Sequence, residues 1–156
     1  MTTDAAGVEP LPPAQRTLPA MLRFAAERFG DKPLLHLAGT RWSHREAAEL
    51  TARRAASLQA AGVTQGERVA LLCSNRCELL ETFLACGWLG AMSVPLNTAS
   101  MGPQIAYYLA NSGARLLVIE AGFVERLALV DLAATALQVI WIVGAEEAAS
   151  VPSTLP

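Results

Sequence analysis

Three cysteines, Cys73, Cys77 and Cys86, and two histidines, His36 and His44, are the soft donors this chain offers to a metal or to a nucleophilic mechanism. Their spacing argues against both uses. No C-x-x-C pair occurs, and both histidines lie far upstream of the thiols, so the ligand spacing of a zinc site is missing. Cys77, nearest a helix start, is the candidate for a reactive thiol, yet no histidine is adjacent in sequence and no nucleophile signature surrounds it. The three thiols are therefore expected to be small, unpaired core side chains.

Phosphate chemistry fares no better. The turn Cys73-Ser74-Asn75-Arg76 lacks the G-x-G-x-x-G glycines that let a backbone approach a pyrophosphate. No G-x-x-x-x-G-K-[ST] loop exists, and the only lysine, Lys32, lies in an Asp31-Lys32-Pro33 turn. No carboxylate ends the first strand of the parallel sheet, where a ribose-binding acid would be wanted, and Ser74 reads as a helix cap. Tyr107-Tyr108 and the three tryptophans have no interleaved basic residues, so they read as core and interface filler rather than base-stacking platforms. No catalytic, cofactor-binding or metal-ligating residue is assigned.

Composition narrows the remaining classes. Over 156 residues the chain is 53% hydrophobic and 17% charged, which excludes disorder for most of its length. Twelve basic against fourteen acidic side chains leave a charge of -2, with no electrostatic footprint for nucleic acid. The first twenty residues carry Asp4, Glu9 and four prolines, not a signal or transit pattern, so a reducing cytoplasmic location is the expectation. Residues 82–114 contain no Asp, Glu, Lys or Arg. The nearly pure apolar run within them, 83–94, is shorter than the about 20 residues a spanning helix needs, so a buried helix-turn-strand unit is expected instead.

The elements that must position any site follow from periodicity and punctuation. Residues 1–16 read as a flexible leader. Thr17 caps a helix that carries Leu22, Ala25, Ala26 and Phe29 at helical spacing and stops at Gly30. A small hairpin follows, extended over 34–38, reversing at Gly39-Thr40 into Arg41-Trp42-Ser43. Ser43 with Glu46 is a capping box opening a long helix over 44–61, with Gly62 as its C-cap and Arg45–Glu49 and Glu49–Arg53 as pairs along it.

From there strands and helices alternate. Strands are expected over 68–73, 91–96, 115–120 and 138–144, and helices over 76–88, 103–111 and 123–134. The first of these helices should turn Leu79, Leu80, Phe83, Leu84 and Gly87 toward a sheet, away from Arg76, Glu78 and Glu81. Strands joined by helical crossovers specify an α/β fold in three layers around a mostly parallel sheet. Ligands of such sheets sit beyond the carboxyl ends of the strands, at the turns after Cys73, Leu96 and Glu120. Residues 17–144 then form one partial domain and 145–156 a solvated tail. The apolar strand containing Val139, Ile140, Trp141, Ile142 and Val143 suits burial on both faces, and its free edge would be a template for self-association.

The order of these pieces resembles the N-terminal segment of adenylate-forming acyl-CoA ligases. The likeness is carried by Trp42-Ser43, Gly62-Val63, Gly66-Glu67-Arg68-Val69-Ala70, Ser74-Asn75, Trp88-Leu89-Gly90-Ala91, Val94-Pro95-Leu96-Asn97 and Asn111-Ser112-Gly113-Ala114-Arg115. It covers residues 17–144 and looks closest to crotonobetaine and carnitine CoA ligases, although the loop over 98–102 departs from theirs. The resemblance implies a carboxylate attacking the α-phosphate of ATP with Mg²⁺, after which coenzyme A displaces AMP. It also implies a Ser/Thr- and Gly-rich phosphate loop, an adenine- and Mg²⁺-binding segment and a C-terminal lysine. None of these is found in the sequence, so a truncated or remnant ligase, inactive alone and binding neither ATP nor Mg²⁺, is expected. A stand-alone Rossmann-like binding module and a non-catalytic interaction domain are the alternatives.

Overall fold

In the computed structural model the described residues are 11–37 and 39–144, with the backbone of Ser153–Thr154. The expected leader is thus described only from Leu11, where Pro13–Gln15 form one 3-10 turn. Most of the expected tail lies outside the described residues. Two compact units divide between Leu50 and Thr51.

In the first unit, Pro19 near the start and Gly30 at the end bound helix α1 (Leu18–Phe29), as its punctuation requires. Strands β1 (Pro33–Leu37) and β2 (Thr40–Ser43) pair antiparallel. Helix α2 (His44–Ala60) begins here and ends in the second unit. Its capping box is formed: Ser43 N–H donates to Glu46 Oε2 at 2.7 Å, and Glu46 N–H donates to Ser43 Oγ at 3.2 Å. Arg45 reaches Asp31 at 3.1 Å, and neither expected pair with Glu49 forms among the described residues. At the far end of α2, Val63 N–H donates to Leu58 O and Gly62 N–H to Gln59 O, both at 3.0 Å, the crossed pair of bonds that closes a helix on glycine.

The second unit is built on four parallel strands: β3 (Arg68–Leu72), β4 (Met92–Pro95), β5 (Leu116–Glu120) and β6 (Val139–Val143). Their spatial order is β4-β3-β5-β6, with the two-residue β7 (Ser153–Thr154) antiparallel on β6. Alternate side chains leave opposite faces of the sheet. Val69, Leu71, Cys73, Leu116, Val118, Trp141 and Val143 pack with Ala55 and Leu58 of α2 and with Ala85 and Cys86 of α3 (Cys77–Leu89). Ala70, Leu72, Leu117, Ile119 and Ile140 pack on the other face with Ile105 and Leu109 of α4 (Gly102–Ser112) and with Leu127. The three layers are those that the alternation of elements requires. Leu71, Leu72, Leu117 and Ile119 are fully buried, each worth about 2 kcal/mol of burial.

Edges are managed locally. Met92 N–H donates to Glu67 O, just before β3, and Leu96 N–H to Leu71 O of β3, each at 2.8 Å, so the alternate position Pro95 faces outward, where a missing N–H costs no ladder bond. The edge of β6 is not bare as expected: Val139 and Ile140 pair with Thr154 and Ser153.

Three local expectations are corrected. Helix α3 turns Thr82, Ala85 and Cys86 inward, while Phe83 remains 48% exposed and Leu80 and Leu84 only half-buried. Away from Glu78 and Glu81 the helix is apolar, so periodicity alone does not orient it, and Ala85 and Cys86 join the cluster that includes Trp141 and Val118. Ser74 does not cap α3, whose N-cap position is Arg76. Finally, the expected helix over 123–134 is two 3-10 segments, Ala121–Leu129 and Leu132–Ala134, separated by extended Val130 and capped by Asp131. Nine residues rise about 18 Å as a 3-10 helix against about 13 Å as an α-helix. The tighter winding therefore returns the chain along a five-residue strand in fewer residues, and β-branched Val124 and Val130 weaken the α alternative.

Candidate functional site

The turns after β3, β4 and β5 do gather at one end of the sheet, and what they bring together there is charge. The carboxylate of Glu120, last residue of β5, accepts from Ser74 N–H at 2.8 Å and from Ser74 Oγ at 2.6 Å. Arg76 donates from Nη1 to Glu120 Oε1 at 3.2 Å, from Nε to Glu78 Oε2 at 2.9 Å and from Nη2 to Glu78 Oε1 at 3.0 Å. All three guanidinium nitrogens are thereby occupied. Gly144, just past β6, has φ +73, and a Cβ there would overlap the Arg76 guanidinium. The ends of β3, β5 and β6 thus meet on one arginine.

The electrostatics follow from these contacts. The Ser74 hydroxyl, then the Ser74 N–H and the nearby Arg76 charge, hold the Glu120 carboxyl below the usual carboxylate range. Arg76 does the same for Glu78. Burial, reinforced by Glu120, pushes the Cys73 thiol up to about 11, and burial alone pushes Cys86 to about 11. None of the three cysteines is in a disulfide.

Ser74, Arg76, Glu78 and Glu120 in this arrangement do not fit a nucleoside triphosphate or Mg²⁺. The Ser74 N–H that would face a phosphate is taken by a carboxylate, and both carboxylates that would face a metal are taken by Arg76. The end of the first parallel strand carries no acid of its own because the acid there comes from β5, 46 residues on. No local signal reports that pairing.

A second arginine organises the loop after β4. Asn97 Oδ1 accepts from Ala99 N–H at 2.8 Å, and Arg126 Nη1 donates to the carbonyl oxygens of Thr98 and Ser100. A cleft of about 320 Å³ opens beside this strand, lined by Val94, Pro95, Leu96, Asn97, Tyr108 and Asn111 among others. At the opposite end of the sheet Arg115 joins Glu67 at 2.8 Å and Gln138 at 3.1 Å, beside a hollow of about 20 Å³. No helix among the described residues is long and apolar enough to cross a membrane.

This scaffold defines a class. The family model for AMP-binding enzymes matches residues 22–154, and the chain belongs to that family. It is 45% identical over 80 residues to a feruloyl-CoA synthase of Amycolatopsis sp, covering 51% of this chain and 16% of the relative. A fatty acid–[acyl-carrier-protein] ligase, ScoC of Streptomyces coeruleorubidus, is 30% identical over 111 residues, 71% of this chain and 21% of the relative. The solved fatty acyl CoA synthetase of Mycobacterium tuberculosis superposes with a TM-score of 0.73 at 26% identity, over 81% of this chain and 26% of that one. The N-terminal domain of FACL13 from the same organism gives 0.67 at 28%, over 72% and 29%.

The relatives include acyl-CoA synthetases and an acyl-carrier-protein ligase, and the chain corresponds to an N-terminal part of them. It spans between 16% and 29% of the length of these four proteins. The finer likeness to crotonobetaine and carnitine CoA ligases is not shown by them.

Proposed function

We propose that these residues are scaffold for an ATP-dependent acyl-CoA ligase, in which a carboxylic acid is adenylated by ATP and then passed to coenzyme A, and that they carry none of the reacting groups. The observation that supports this reading is the ligand end of the sheet. The family match runs across 22–154, yet the polar groups after β3 and β5 satisfy one another, leaving no cradle for phosphates. Their contribution is to hold strand ends rigidly, which is what a reaction catalysed mainly by positioning requires of its surroundings. Cytoplasmic residence belongs to the same reading.

Calorimetry of the 156-residue chain with ATP and Mg²⁺ tests it, alongside an assay for carboxylate-dependent pyrophosphate release. Neither micromolar binding nor release is expected, and either result would show that the chemistry resides here. Self-association is part of the proposal, because Phe83, Met92 and Met101 are 48%, 49% and 50% exposed. Sedimentation over a concentration series should show it, and a monomer throughout would remove it.

A further inference from the structure

Arg126 differs in its partners from three other arginines of the second unit. Arg54, Arg76 and Arg115 each face a carboxylate at 2.7 to 3.2 Å. Arg126 is half-buried, and among the described residues no carboxylate lies within ion-pair distance of it. Glu125 and Asp131, the acids nearest in sequence, are exposed. Its guanidinium carbon lies 4.2 Å from the centroid of the Phe123 ring. Its Nη1 donates to Thr98 O and, at 3.3 Å, to Ser100 O.

These contacts occupy one nitrogen and one face. The Nε and Nη2 hydrogens, the edge that grips a carboxylate or phosphate with two parallel bonds, have no partner among the described residues. A cation that is partly desolvated, stacked on a ring and held by two carbonyls is already oriented, so an incoming anion immobilises little. The loop that holds it follows β4, at the end of the sheet where ligands of parallel sheets sit.

We propose that the Nε/Nη2 edge of Arg126 is a binding site for a single oxyanion, a carboxylate or a phosphate. The site uses only groups of this chain and does not rest on the ligase reading. A lone oxyanion needs no more than this edge, whereas a triphosphate with its metal needs the cradle that Glu120 closes.

The test follows the side-chain Nε–H resonance of Arg126 in the ¹⁵N-labelled 156-residue chain, with inorganic phosphate, acetate or chloride added at constant ionic strength. A saturable shift with phosphate or acetate at millimolar concentration, and none with chloride, is expected; whichever of the two saturates first identifies the anion class. Arg126→Lys keeps the charge but loses the fork, and should weaken binding about tenfold. The wild-type titration stands by itself if that variant fails to fold. No movement of the resonance overturns the proposal, as does a linear drift shared with exposed Arg16 and Arg41.

Discussion

Glu120 and Ser74, at the ends of neighbouring strands and 46 residues apart in sequence, are joined by two hydrogen bonds of 2.8 and 2.6 Å to one carboxylate oxygen. An acid from β5 therefore occupies the turn after β3 from within. The turn is a fastening between strands, and Arg76 extends it to Glu78 and to the chain leaving β6 at Gly144.

Replacing Glu120 with Gln should lower stability by about 1–2 kcal/mol, since a charged acceptor is lost from two bonds. The pH dependence carries the signature. A carboxyl held low in the folded state stabilises above its unfolded pKa, and that stability disappears as pH falls through the folded value. Glu120, Glu78 and Glu67 are all held low. Urea melts should therefore be flat between about pH 5 and pH 8 and weaken below about pH 4, with a smaller loss in Glu120→Gln. Identical acid limbs would mean the contact contributes nothing.

Gly144→Ala combines a left-handed backbone with a Cβ in the space of the Arg76 guanidinium, and should cost about 1–3 kcal/mol. Removing the obstruction with Arg76→Ala should make the second change cheaper. A thermal double-mutant cycle reads the coupling, and strict additivity would separate the two residues.

Cys73 and Cys86 are buried and their thiols are raised to about 11, so at pH 8 about one thiol in a thousand is ionised. Both should label slowly with a thiol reagent in the native chain and promptly in urea. Rapid native labelling of either, located by mass spectrometry, would contradict the packing.

Ile140 is buried at 8% exposure, and Ile142 packs against the same cluster. Lysine at both positions should unfold the second unit, because Lys at buried Ile140 would bury an unpaired ammonium at several kcal/mol and Lys at partly buried Ile142 would add a charge beside the same cluster. Circular dichroism decides the matter, and a native spectrum would place these side chains on the surface.

Local structure here follows wherever a contiguous segment holds all the partners it needs. The Ser43–Glu46 box, the stop at Gly62, the hairpin and the four apolar strands depend on bonds and periodicities within a few residues, and each stands where its residues put it. Tertiary structure decided the rest. Helix α3 is apolar on most sides, so packing within the cluster that includes Trp141 and Val118 selects Ala85 and Cys86 for its inner face. Residues 123–134 carry a helical pattern, but the distance back along the sheet draws them into 3-10 form. Ser74 has the chemistry of a cap, yet a carboxylate 46 residues away offers its N–H and hydroxyl a charged acceptor that no local bond can match, and that partner exists only once β3 and β5 lie side by side.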